Sequence, residues 1–244
     1  MFLLRKIYTI YGFFIFALIY ILLLPIFLIV LQNKKWHSAG RNLYRLWARA
    51  FFALIFMPIR IKYISKLSKR KSYIFCSNHF SFMDIPAIGC SKFNITFVGK
   101  SSLGMVPLFG YMYNKLNITV DRSKLKSRYE TMLECRNAIN NGQNLVFFPE
   151  GGMLAENPPE MARFKDGAFR LAIEEQVPVV PVTIPFNWKI LGEENRFLVM
   201  WHPCKVIFHK PIPTIGMELD EVEFLKKKVF NIIQGELNQY NYES

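Results

Sequence analysis

From Ile7 to Asn33 the chain carries no charged residue, and Arg5-Lys6 and Lys34-Lys35 bracket the run. As a helix this stretch is about 40 Å long, more than the roughly 30 Å hydrocarbon core of a bilayer requires. It exceeds a signal-peptide core, and no small-residue cleavage site follows it. A membrane segment is therefore expected, with Pro25 tolerated inside it. A second apolar stretch, Leu46 to Met57, contains Arg49 and is too short to span. One tilted span and a helical hairpin dipping into one leaflet both remain open, and a buried core helix is an equal reading of the second stretch. Positive charge on both flanks of the first segment does not fix its orientation.

Beyond residue 58 the pattern becomes globular. Apolar, β-rich runs at Ile59–Ile64, Tyr73–Cys76, Ile95–Val98, Asn117–Val120, Leu145–Phe148, Val179–Ile184, Phe197–Trp201 and Val206–Phe208 predict strands. Helical patterns separate several of them, notably Ser123–Asn140, Phe164–Glu175 and Met217–Asn238. In the first of these, Lys126, Arg128 and Arg136 interleave with Leu125, Tyr129, Met132, Leu133 and Ile139, which predicts an amphipathic helix. Gly142 follows as its C-terminal stop. The expectation is a hydrophobic membrane-anchoring helical segment, residues 1–57, followed by an α/β domain, residues 58–244. That domain should hold a mixed central sheet flanked by helices.

Composition strengthens the membrane reading. Hydrophobic residues make up 52% of the 244, and 23 of them are Phe, above the usual share for a soluble domain. A formal net charge of +13 implies anionic partners: nucleic acid, an anionic membrane or phosphorylated substrates. Nucleic acid would require a recognisable binding module, and the chain contains none, so it is not expected. Cys76, Cys90, Cys135 and Cys204 are scattered without a C-x-x-C pair, which points to reduced core thiols. No metal-ligand spacing occurs, and neither metal nor cofactor is expected.

The strand Tyr73–Cys76 runs into Ser77-Asn78-His79, placing a histidine at a strand end, where α/β proteins often hold ligands. Asp84 follows five positions later, in N-cap placement before Ile85-Pro86. On a continuous helix residues five apart diverge by about 140°, so a turn through Phe80–Met83 must bring carboxylate to imidazole. A carboxylate on one ring nitrogen fixes the tautomer and stabilises the imidazolium formed when the other nitrogen takes a proton. Spacing alone also allows Asp84 to cap a helix and His79 to bond backbone. Glu150 and Gly151, after the strand Leu145–Phe148, should share the rim that holds His79.

Asn78-His79-x-x-x-x-Asp84 resembles the signature of the glycerolipid acyltransferases, typified by 1-acylglycerol-3-phosphate acyltransferase. Ile118-Thr119-Val120-Asp121-Arg122 and Phe148-Pro149-Glu150-Gly151 are similar to that family's second and third blocks. Phe164-Lys165-Asp166-Gly167-Ala168 and Val177-Pro178-Val179-Val180-Pro181-Val182 resemble the stretches that follow. Five blocks in order make a specific likeness, covering roughly residues 58 to 210.

The resemblance implies acyl transfer from acyl-carrier protein or acyl-coenzyme A to a lyso-phospholipid, on a membrane and at its cytoplasmic face. It implies that His79 is the general base and Asp84 its orienter, with no acyl-enzyme. Asn78, Arg122, Glu150 and Gly151 fall in the matching blocks as substrate-binding candidates, Arg122 for the acceptor phosphate, and Lys100, in Phe97-Val98-Gly99-Lys100, matches a family lysine at the active site. Gly152 and Met153 depart from the Thr and Arg that usually continue the third block. Arg163, just before Phe164-Lys165, is the candidate to supply the missing charge. The excess positive charge suits an anionic membrane and an acidic carrier.

Overall fold

The computed structural model describes residues 2–105, 109–121, 123–192 and 198–241. The uncharged leader forms α1 (Phe2–Val30), which continues through Pro25. A 3₁₀ turn at Lys34–Trp36, capped by the Asn33 side chain on the Lys35 amide, reverses the chain into α2 (His37–Leu54). This second helix starts well before Leu46. Its arginines conceal it from a hydropathy scan, yet Ser38, Arg41, Asn42, Arg45 and Arg49 fall on one face at helical spacing. The opposite face buries Trp47, Ala48, Phe51 and Phe52.

The two helices are antiparallel. Tyr8 and Tyr11 donate their hydroxyls to the carbonyls of Ile55 (2.8 Å) and Leu54 (2.6 Å), satisfying the C-terminal end of α2. Midway, Phe16 meets Trp47 edge-on at 4.6 Å, and at the far end Leu31 lies against Gly40. Among the described residues α1 is the one helix long and apolar enough to cross a membrane, by length and composition. It exposes large apolar side chains along its length, Leu3, Ile7, Ile10, Phe14, Ile21 and Ile29 among them. Its other side, through Ile15, Ile19 and Phe27, joins the same apolar core as Trp47, Phe75 and Val180.

The strands are β1 (Ile59–Tyr63), β2 (Ile74–Ser77), β3 (Ile95–Lys100), β4 (Ile118–Val120), β5 (Asn144–Phe147), β6 (Val179–Thr183) and β7 (Cys204–Phe208). They form one sheet in the order β1-β7-β6-β2-β5-β3-β4. All neighbours are parallel except β6 and β7. The sheet is mixed, as the sequence predicts.

Period-two alternation divides the core. Phe75, Val146 and Val180 face the hairpin with α3 (Asp84–Gly89) and α4 (Phe109–Leu116). Ile74, Leu145 and Val179 face α5 (Leu125–Asn140), α6 (Gly167–Glu174) and α8 (Val222–Asn241). Gly142, at φ +74°, ends α5: its amide donates to Ile139 and that of Gln143 to Ala138.

The strand expected at Phe197–Trp201 is not formed by its described residues, 198–201. Val199 is buried, but its amide donates to the Thr9 hydroxyl of α1 and that of Met200 to the Ile190 carbonyl. The run is apolar because it packs under α1, and its amides are taken by a side chain and a helix carbonyl in place of a ladder.

Candidate active site

Strand β2 lies at the centre of the sheet, with Cys76 registered to Phe147 of β5 and Pro181 of β6. His79 therefore emerges at the C-terminal rim between two flanking strands. Asp84 opens α3 at its first helical position, with Met83 as cap residue, so the expected N-cap placement is corrected. Its carboxylate reaches backward instead. One oxygen, Oδ2, accepts from the amides of Phe80 and Ser81 (both 2.9 Å) and faces His79 Nδ1 at 3.0 Å. The other, Oδ1, accepts from Asn187 Nδ2 at 2.9 Å. Burying a carboxylate completely, as here, requires such a set of donors.

His79 is held on three sides. Its ring stacks on Phe148, with centroids 3.9 Å apart and planes 18° from parallel. Its backbone amide donates to Glu150 Oε1 at 2.8 Å. With Nδ1 engaged by Asp84, Nε2 is the ring nitrogen left for a substrate. The ring is 13% exposed and lines a pocket of about 210 Å³ with Phe80, Met153, Ala155, Trp188 and Gly192. Glu150 is fully buried, and its second oxygen accepts from the Ala162 amide at 2.9 Å. Burial pushes its carboxyl up to about 7, against the pull of those two amides, and the Asp84 charge adds to the rise.

On the other side of the loop an apolar cavity of about 400 Å³ opens between the α1–α2 hairpin and residues 82–86. Gly12, Phe16, Trp47, Phe51, Phe82 and Met83 are among its lining residues. The segment that carries His79 thus lines both spaces, with His79 and Phe80 on the first pocket and Phe82, Met83, Ile85 and Pro86 on the apolar cavity.

The family profile for acyltransferases matches residues 58–185. The chain belongs to the acyltransferase family. It is 29% identical over 140 residues to a chloroplastic 1-acyl-sn-glycerol-3-phosphate acyltransferase of Brassica napus, covering 57% of this chain and 40% of that protein. It is 28% identical over 202 residues to the 1-acyl-sn-glycerol-3-phosphate acyltransferase of Saccharomyces cerevisiae, covering 80% of this chain and 66% of that one. The chain thus spans less than two-thirds of either relative. The crystal structure of a Thermotoga maritima 1-acyl-sn-glycerophosphate acyltransferase, PlsC, superposes with a TM-score of 0.78 at 21% identity. It covers 97% of this chain and 98% of its own, so the fold, hairpin included, is shared.

His79, Asp84 and Glu150 are joined directly. Asn78 is fully buried, and both ends of its amide are taken by Ile184: Nδ2 donates to its carbonyl (3.0 Å) and Oδ1 accepts from its amide (2.8 Å). Its side chain therefore ties the end of β2 to that of β6. Gly151 has φ +89°, and a Cβ there would come within 2.6 Å of Lys165 Nζ, so the missing side chain makes room for that lysine. Lys100 is exposed at the C-terminal end of β3, on the His79 rim, and Arg163 is exposed just ahead of the core residue Phe164. Arg122 lies outside the described residues.

Sequence reasoning missed Asn187, at the start of α7 (Asn187–Leu191), which is 103 positions from Asp84 and in no quoted block. Cys204 Sγ donates to its Oδ1 at 3.0 Å, which turns the amide nitrogen toward Asp84. Burial holds the Cys204 thiol well above its ordinary pKa, so the sulfur stays a donor there. Burial raises the Cys76 thiol too, which suits a core role.

Proposed function

We propose that this chain transfers a fatty acyl group from an acyl thioester to the free hydroxyl of 1-acylglycerol-3-phosphate, giving phosphatidic acid. The observation that carries this reading is the His79 ring clamped between Asp84 and Phe148, with Nε2 toward a pocket and an apolar cavity behind the same loop. The names of the relatives supply the substrate class.

In this mechanism Nε2 of His79 removes the acceptor hydroxyl proton as its oxygen attacks the thioester carbonyl carbon. Asp84 holds Nδ1–H and stabilises the imidazolium. The tetrahedral oxyanion collapses, the carbon–sulfur bond breaks, and the leaving thiolate takes the proton from Nε2. Lys100, exposed on the same rim, would offset the developing negative charge. Asn78 and Glu150 act as positioning residues that hold the backbone around His79. Arg122 is assigned to the acceptor phosphate, with Lys165 against Gly151 as the cation beside the third block, a better-placed candidate than Arg163.

The apolar cavity takes an acyl chain. Either acyl-carrier protein or coenzyme A would bring the thioester. With α1 in the membrane, the catalytic domain faces the cytoplasm, where both donors occur.

Met153 supports a second reading of the acceptor. It lines the His79 pocket where the family usually carries an arginine, so a lyso-lipid with a less anionic headgroup would fit there. Purified full-length protein given a panel of lyso-lipids with each donor, and products identified by mass spectrometry, tests both readings. Phosphatidic acid formed from lysophosphatidate supports the first, and preferential acylation of another lyso-lipid supports the second. Free fatty acid released at the same rate without any acceptor would mark a hydrolase and end both.

A further inference from the structure

Opposite the His79 rim, at the N-terminal ends of β3 and β5, lies a polar cavity of about 430 Å³. Its wall carries six cations: Lys34 and Lys35 from the hairpin turn, Arg41 and Arg45 from α2, Lys69 from the loop before β2, and Lys92 from the loop before β3. No Asp or Glu is among its lining residues, and none of the six forms an ion pair among the described residues. Strand β2 joins β5 in parallel, and β5 joins β3, so the length of the strands, on the order of 15 Å, separates this cavity from His79. The reaction proposed for the opposite rim does not use it.

Two of the six cations, Arg45 and Lys92, are held in place. The Arg45 guanidinium is fixed by two amide oxygens, Nη1 on Asn42 at 3.0 Å and Nη2 on Asn94 at 2.8 Å. Asn94 is itself held by its Nδ2 on the Ser38 hydroxyl at 2.8 Å. Arg45 Nε is buried and lacks a hydrogen-bond partner. Burial pulls the pKa of Arg41 down, the mark of a guanidinium partly stripped of water with no counter-charge supplied. Lys92 stacks over the Tyr63 ring at 4.1 Å, which aims its stem without neutralising it. The two partly buried arginines, Arg41 and Arg45, are costly to hold without an anion, and the exposed Lys34, Lys35 and Lys69 add charge around them.

The pre-oriented Arg45 guanidinium, with Arg41 and the lysines on the same wall, suits a phosphate group. The position names its source. Lys34 and Lys35 immediately follow the apolar helix α1, and Trp36 beside them is 52% exposed, the pattern of a segment at headgroup level. We infer that this cavity binds the phosphodiester headgroup of an anionic phospholipid, at a site separate from the one that carries out acyl transfer.

The test uses purified full-length protein in neutral detergent micelles, titrated calorimetrically with short-chain phosphatidylglycerol, phosphatidylcholine or inorganic phosphate. Phosphatidylglycerol is expected to bind at least about tenfold more tightly than the other two, because several charge-assisted bonds act together. The double variant R41Q/R45Q should lose at least about tenfold of that affinity. K34Q/K35Q changes only exposed side chains at the turn, so it tests the site without disturbing the core, and it should weaken binding several-fold. K227Q/K228Q, removing the same charge from the exposed face of α8, should leave binding unchanged. Equal weakening by the α8 variant, or none by the two cavity variants, would overturn the inference. Inorganic phosphate binding as tightly as phosphatidylglycerol would overturn the lipid source. All of these measure binding alone, so their failure leaves the catalytic reading of His79 standing.

Discussion

Four donors converge on the buried Asp84 carboxylate, and only Asn187 comes from a distant part of the chain. Removing that amide leaves Oδ1 unsatisfied and lets the carboxylate swing, which misplaces the imidazole. Asn187→Ala should lower kcat by about ten- to a hundredfold with little change in KM, because a base displaced by a fraction of an ångström loses alignment but not substrate affinity. Asn187→Asp should be worse, since it sets a second carboxylate against the first. Steady-state kinetics on the two variants checks both; an unchanged kcat in Asn187→Ala would remove Asn187 from the account.

Glu150 makes a prediction about pH. Its carboxyl holds a proton to about 7 in the folded chain, against an ordinary value of 4.5. Between those values only the folded state is protonated, so unfolding releases a proton and rising pH favours unfolding. The contribution is fully present below about pH 4.5, declines as pH rises and is gone above about 7. Glu150→Gln should flatten that part of the Tm-versus-pH curve. The variant should also be less stable at acid pH, since one amide oxygen cannot serve the amides of both His79 and Ala162. Thermal unfolding in detergent from pH 4 to 8 reads both effects. His79, Asp84 and Glu150 were legible because their blocks are short and local. Asn187 was not, because what selects it is a contact across 103 positions.

At the scale of elements, seven of the eight expected strands are present, because buried central strands such as β2 and β6 read as continuous apolar runs and the edge strand β1 alternates apolar residues with Arg60 and Lys62. The eighth, at Phe197–Trp201, misled because burial under α1 produces the same apolar signal as burial in a sheet. Helices α4 and α7 went unread, and α7, at five residues, is too short for a helical period to stand out. Helix α1 was the plainest element, and it carries its own prediction. Gly12 lines the apolar cavity, and a Cβ built on it meets nothing within 4 Å. Gly12→Leu should therefore fold normally, gaining up to about 1 kcal/mol of helix propensity, while its side chain fills part of the cavity. If that cavity takes the acyl chain, the variant should shift preference toward shorter acyl groups in a mixed-donor competition read by mass spectrometry. An unchanged chain-length profile would place the acyl chain elsewhere.

Across the whole molecule the hairpin, the sheet and the His79 loop form one construction. Residues from α1 and α2 share a continuous core with β2, β5 and β6, and the cavity they enclose ends at the loop that carries the histidine. An apolar leader and an α/β domain could be read from the sequence separately. That the leader helps wall the site could not, since hydropathy marks where a segment is apolar but not what it packs against. The proposed chemistry depends on this union: an insoluble acyl chain lies on one side of the loop, and a base oriented by a buried carboxylate lies on the other. The most direct measurement is acyl transfer by membranes carrying His79→Ala, compared with wild type at equal protein level and equal thermal stability. Loss of the base should reduce the rate of phosphatidic acid formation by at least about a hundredfold while donor binding persists. A rate equal to wild type would contradict the account at its centre.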